Sequence, residues 1–212
     1  MAKLYFRYSA MNAGKSTALI QVAHNYEERE MRVALLTSSI DNRYGIGNVS
    51  SRLGVQRKAE VFDAHTNLYD ALLSVKAGYP IDRTQLVADA VLDAIPSTPL
   101  ACVLIDEAQF LTTEQVEDLH RFAHVEHVPV LCYGIRSDFQ GKAFPGSAAL
   151  LTLADTIEEI KTICRCGRKA TMNVRIDEAG ERITEGQQIA IEGTVRYDQV
   201  CGHCFYNPLP PA

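Results

Sequence analysis

The sequence predicts an α/β fold: a parallel sheet with helices on its faces, followed by a small lobe of short strands and turns. Three observations predict it. Apolar strand-like runs alternate with helical ones up to about residue 163, the arrangement that builds parallel sheets. A segment ending Ala13-Gly14-Lys15-Ser16 lies between the first strand and the first helix, where a P-loop belongs. Two close cysteine pairs, Cys164/Cys166 and Cys201/Cys204, fall beyond the last helical pattern.

Each element has its own warrant. KLYFRY (3–8) reads as a short strand, and a helix is expected from about Lys15 to Glu28. MRVALLTSS (31–39) is an apolar run bounded by charge, suited to a strand buried on both faces. Residues 40–58 are rich in Gly, Ser and Asn with scattered Arg, a loop composition long enough to mark a functional segment. Residues 66–75 and 84–95 carry apolar residues at helical spacing, with Thr66 and Thr84 as caps. LACVLIDE (100–107) and VPVLCYGI (128–135) are buried strands with a helix, 112–125, between them. Residues 136–146 form a polar loop before a helix near SAALLTLA, and 156–163 read as an exposed strand. The chain thus divides into a nucleotide-binding core over 1–163, a zinc-binding lobe over 164–206 and a short tail over 207–212.

Composition narrows the class. With 212 residues, 47% of them hydrophobic, the chain suits one large domain or a domain with an appendage. A net charge of −5, with Lys and Arg spread along the chain, gives no general attraction to nucleic acid or anionic membrane. MAKLYFRYSA is too short and polar for a signal peptide, and no apolar run approaches a membrane span. A cytoplasmic protein is expected, where disulfides are rare. Cys102 and Cys132, inside apolar strands, read as small buried residues.

A phosphate loop works because backbone N–H groups and a helix N-terminus converge on one anion. Its lysine adds mobile positive charge, and the following hydroxyl ligates the magnesium that travels with a nucleotide. Gly14, Lys15 and Ser16 supply that second half. Ser9 stands where such loops begin with glycine, which requires either an ordinary backbone angle there or a strained one. A site of this type also needs an acidic residue at the end of a neighbouring buried strand, and VLIDE supplies Asp106 with Glu107 after it. Together these predict binding of ATP and Mg²⁺.

Cys164, Cys166, Cys201 and Cys204 offer four soft ligands in two clusters, the pattern of a structural tetrahedral Zn²⁺ site. His203 is a possible substitute for the fourth ligand, and Cys204 is preferred because two residues between ligands is the commoner geometry. Zinc would pin the ends of a 34-residue segment too small to build its own core. His120, His124 and His127 share a helix, but no acidic or cysteine companion converges on them in sequence; they read as solvated or capping.

In this order, S-A-M-N-A-G-K-S, D-E-A-Q-F, C-x-C and C-x-x-C resemble the zinc-containing thymidine kinases of bacteria and the animal cytosol, from Lys3 to about Tyr206. The resemblance implies a recombinase-like core, a zinc lobe whose lasso-like lid closes over the nucleoside, and a homotetramer. It implies transfer of the ATP γ-phosphoryl to the 5′-hydroxyl of thymidine, and of deoxyuridine, with feedback binding of dTTP. Under it the ATP-binding residues are Ser9, Ala10, Met11, Asn12, Ala13, Gly14, Lys15, Ser16, Asp106, Glu107, Ala108 and Gln109. Glu107 matches the general base, and Lys15 and Arg43 serve the phosphates. Met11 and Phe139 flank the thymine ring, Tyr197 takes the matching aromatic position of the lid, main-chain groups around 188–193 read the base edge, and Phe110, Gln188 and Ile191 join the substrate-binding set. This sequence departs from the family's G-P-M with Ser9-Ala10-Met11, and from its Gly-Gly pair with Glu192-Gly193.

The rival class is a nucleic-acid-binding ATPase with a zinc ribbon as its grip. Such a ribbon should be basic. Residues 164–204 hold six Arg or Lys against six Asp or Glu, which disfavours it.

Overall fold

The structure, a computed structural model, describes residues 1–41, 45–81, 98–189 and 196–207. Arg43, the expected helix 84–95, Ile191, Glu192 and Gly193 lie outside the described residues. The elements of the first part are β1 (Leu4–Ser9), α1 (Lys15–Glu27), β2 (Arg32–Ser38), β3 (Asn48–Ser50), β4 (Gln56–Lys58), β5 (Glu60–Phe62) and α2 (Leu68–Lys76). Then come β6 (Leu100–Ile105), α3 (Thr113–Val125), β7 (Val130–Ile135), α4 (Pro145–Leu153) and β8 (Thr156–Glu159). Among the described residues, six strands form one parallel sheet in the order β5-β2-β6-β7-β1-β8.

The continuous apolar runs are explained by cover on both faces. Val103, Ile105, Val130 and Cys132 pack with α2, α3 and α4, whereas Cys102, Leu104, Leu131 and Tyr133 pack with Leu19, Ile20 and Ala23 of α1. Each strand therefore contributes alternate side chains to two cores. Burial pushes the Cys102 thiol up to about 12 and the Cys132 thiol further in the same direction. Among the described residues no helix is long and apolar enough to cross a membrane.

Local details differ from the sequence expectations. The segment 40–58 contains the hairpin β3–β4, and β5 follows as a three-residue edge strand, too short to carry a periodic signal. Asn67, not Thr66, caps α2: the Asn67 side chain accepts the Asp70 N–H at 3.0 Å, while the Thr66 hydroxyl bonds Asp63. The strand expected over 156–163 is two strands. β8 closes the parallel sheet, and β9 (Thr162–Ile163) turns away to pair antiparallel with β10 (Lys169–Ala170).

Beyond them β11 (Met172–Ile176) lies between β12 (Arg182–Ile183) and β13 (Arg196–Val200) in an antiparallel sheet. A five-residue helix, α5 (Gly202–Tyr206), follows; the sequence carried no helical signal there because the turn is organised by Cys201, whose sulfur accepts the Cys204 N–H at 3.4 Å. The carboxyl ends of β1, β6 and β7 open toward this lobe, the edge of an α/β sheet where ligands bind.

Candidate active site

β1 ends at Ser9, and the loop that follows reaches α1 through Gly14, its N-cap. Asn12 (φ 60°) and Gly14 (φ 79°) are left-handed, the alternation that turns successive N–H groups into an anion-binding concavity. Ser9 is not among the residues of positive φ, so the serine in the glycine position needs no unusual backbone. Its hydroxyl has a use: Lys15 Nζ donates to Ser9 Oγ at 3.1 Å and to the Ala10 carbonyl at 3.2 Å. The lysine is folded back against its own loop.

Ser16 Oγ donates to Asp106 Oδ2 at 2.7 Å, and Asp106 Oδ1 accepts the Glu107 N–H at 3.0 Å. Asp106 immediately follows β6, which is not β1's direct neighbour; β7 runs between them. Burial, and then the Glu107 charge, push the Asp106 carboxyl up to about 7 against the pull of Ser16 and Lys15. A divalent cation beside Ser16 would reverse that balance, so this hydroxyl–carboxylate pair fits such an ion.

Glu107 is left-handed (φ 53°) and half-buried. Its carboxylate accepts a hydrogen bond from Gln109 Nε2, and Gln109 Oε1 accepts the Ile135 N–H at 3.2 Å. The fully packed Gln109 leaves no room on β7. A Cβ at Gly134 would lie 2.9 Å from Gln109 Oε1 and 3.1 Å from Gln109 N. Glycine at 134 is therefore what lets Gln109 hold Glu107 in place.

These groups open into a cavity of about 1030 Å³, room for two small molecules end to end. It brings together Met11, Asn12, Ala13, Gly14, Lys15, Ser16, Asp106, Glu107, Gln109, Phe110, Phe139, Gln188 and Tyr197. Ser9, Ala10 and Ala108 are buried behind the wall and do not line it. Among the lining residues that escaped the sequence reading are Arg52, Asp138, Phe144, Asn173 and Arg196. Phe144 meets Phe110 edge to face at 6.0 Å. The buried Asp138 accepts the Gln140 and Lys142 N–H groups and, at 3.0 Å, Gln188 Nε2. A signal for Asn173 existed: in MNVRI, polar residues occupy alternate positions of a strand.

The four cysteine sulfurs lie within 4.8 Å of one another, with Cys166 and Cys201 3.6 Å apart and none in a disulfide. Thiolates around one zinc at ~2.3 Å sit roughly 3.8 Å apart, so the set fits the metal. Cys164, Cys201 and Cys204 are buried, whereas His203 points to solvent. The Cys204 N–H and neighbouring thiols bring Cys201 down to about 6, while burial and the other thiols push Cys204 up to about 12. Ala10 packs against this cluster. Two hydrogen bonds of 2.7 Å add to the seam: the Met11 N–H donates to Asn173 Oδ1, and Asn12 Nδ2 donates to Gln199 Oε1.

The histidines need a correction. An acidic companion does converge on them: Asp155, immediately before β8, groups with His120 and His124. Its Oδ2 accepts the Leu4 N–H at 2.8 Å and lies 3.0 Å from His124 Nε2, tying α3 to β1 outside the cavity.

Comparison with known proteins agrees with this geometry. The family profile described as thymidine kinase matches residues 2–205. A thymidine kinase of Chromobacterium violaceum is 53% identical over 207 residues, covering 98% of this chain and all of the relative. One of Idiomarina loihiensis is 53% identical over 95% of this chain and 94% of its own length. One of Yersinia pseudotuberculosis is 49% identical over the whole chain and 98% of the relative.

Proposed function

The chain belongs to the thymidine kinase family, and from that premise we propose how its cavity carries out the reaction. The protein is a nucleoside kinase, a transferase that moves the ATP γ-phosphoryl group to the 5′-hydroxyl of thymidine. One observation carries the mechanism: the phosphate loop, the aromatic side chains and Glu107 all line a single cavity.

Family membership brings ATP and a divalent metal; the finer reading is Mg²⁺ at Ser16 and Asp106, with Zn²⁺ at Cys164, Cys166, Cys201 and Cys204. Lys15, Arg43 and the N–H groups of residues 12–16 hold the donor phosphates. Magnesium, when bound, would offset the charge shared by the β- and γ-phosphates. Met11, Phe110, Phe139 and Tyr197 sandwich the base, and Gln188 and Ile191 meet its edge. Glu107 accepts the proton of the sugar hydroxyl as the phosphoryl group moves, a contribution of about 10²–10⁴-fold. The lobe over 164–206, with its lid, limits water's access to the core over 1–163. Deoxyuridine as a second acceptor, feedback binding of dTTP, a homotetramer and a cytoplasmic setting complete the reading.

The test follows thymidine monophosphate formation from thymidine, ATP and Mg²⁺, with ATP loss measured with and without single-stranded DNA. Product in step with ATP loss is expected. Hydrolysis stimulated by DNA without nucleotide product would overturn the function in favour of the rival ATPase.

A further inference from the structure

Strand β11 carries two buried polar side chains two residues apart. Asn173 serves the phosphate loop: besides the Met11 N–H, it holds the Ser137 carbonyl through Nδ2 at 3.0 Å. Arg175, 4% exposed, has no carboxylate in contact among the described residues. Its Nε donates to the Tyr197 hydroxyl at 2.9 Å, and its terminal nitrogen donates to the Gln188 carbonyl at 3.3 Å. The guanidinium carbon sits 3.8 Å from the Phe139 ring centroid and 5.2 Å from that of Tyr197. Gln188 in turn reaches back to Asp138 with its side chain.

Three acceptor-side residues, brought from three segments of chain, thus meet on one guanidinium that does not itself line the cavity. Burying a charge without a carboxylate is costly, and an apolar side chain would fill the same space at less expense. What an apolar chain cannot do is fix a hydroxyl, a carbonyl and a ring face at once; the planar fork of arginine can.

We propose that Arg175 is the positioning residue of the nucleoside pocket: it sets the spacing of Phe139 and Tyr197 and holds the lid at Gln188. The proposal rests on the reading that these three residues surround the base. It acts through them and touches no substrate, so its loss should weigh on thymidine and spare ATP.

The experiment determines KM for thymidine and for ATP separately, in zinc-loaded protein whose fold is checked by circular dichroism and zinc content. Arg175→Met should raise thymidine KM about tenfold or more, the effect of losing charge-assisted hydrogen bonds, with ATP KM within about twofold of the parent. Arg175→Lys, which keeps the charge and loses the fork, should raise it too. A thymidine KM within about twofold of the parent, or an equal rise for both substrates, would overturn the proposal. If Arg175→Met fails to fold, Arg175→Lys and Tyr197→Phe read the same quantity, and an unchanged thymidine KM in both rejects it. Phe139→Ala is the separate control. If thymidine KM is unmoved there, the base-pocket reading itself fails.

Discussion

The donor and acceptor sides proposed for the cavity are built on opposite plans. The donor end is nearly contiguous: Lys15 folds back on Ser9, Ser16 is the next residue, and a single strand end supplies Asp106 and Glu107. On the proposed reading the acceptor side draws on Phe110, Phe139, Gln188 and Tyr197, which line the cavity from separate segments, with Arg175 behind them in the same sheet as Tyr197. The contrast follows from the chemistry. A phosphate chain is met by backbone N–H groups and one cation, which a short turn can present. A flat base needs ring faces and an edge placed around it, and only distant segments can enclose it.

The largest expected effect lies at the seam. Glu107→Gln should lower kcat by about 10²–10⁴-fold and leave both ends able to bind; initial rates, with calorimetric titration of ADP and thymidine, test this. Turnover like the parent's would remove Glu107 as the base. Next comes loss of zinc, by Cys201→Ser or a chelator. The acceptor end should lose thymidine saturation altogether. The donor end should weaken only about tenfold, because it loses the Asn173–Met11 and Asn12–Gln199 hydrogen bonds, each worth roughly 0.5–1.5 kcal/mol. Nucleotide titration against zinc content measures both, and thymidine binding that survives without metal would break the comparison. The smallest effect is expected from Ser9→Gly, which restores the residue such loops commonly carry. ATP KM should rise a few-fold for want of the hydroxyl under Lys15, and thymidine KM should not move. A matching change in both would mean that the loop also shapes the acceptor end.

What could be read in advance follows the same division. The loop, the Asp106–Glu107 step and the cysteine pairs are short-range patterns whose spacing carries the chemistry. The core strands were legible because continuous apolar runs imply cover on both faces. Arg175 and Asp138 were not, since Tyr197 and Gln188, which they meet, lie far away in sequence, and the alternation in MNVRI marks Asn173 as sharing a strand face without telling what it binds. The Asp155–His124 tie spans 31 residues and was missed for the same reason. The hairpin at 48–58 escaped because three-residue strands have no period to detect.

The backbone at Glu107 sets stability against chemistry. A non-glycine residue held at φ 53° gives up roughly 1–2 kcal/mol. Glycine there would relax the turn and delete the carboxylate in the same stroke, leaving a sturdier chain without the proposed base. On the proposed mechanism, a position that a screen for heat resistance would favour is thus one the enzyme must decline to improve.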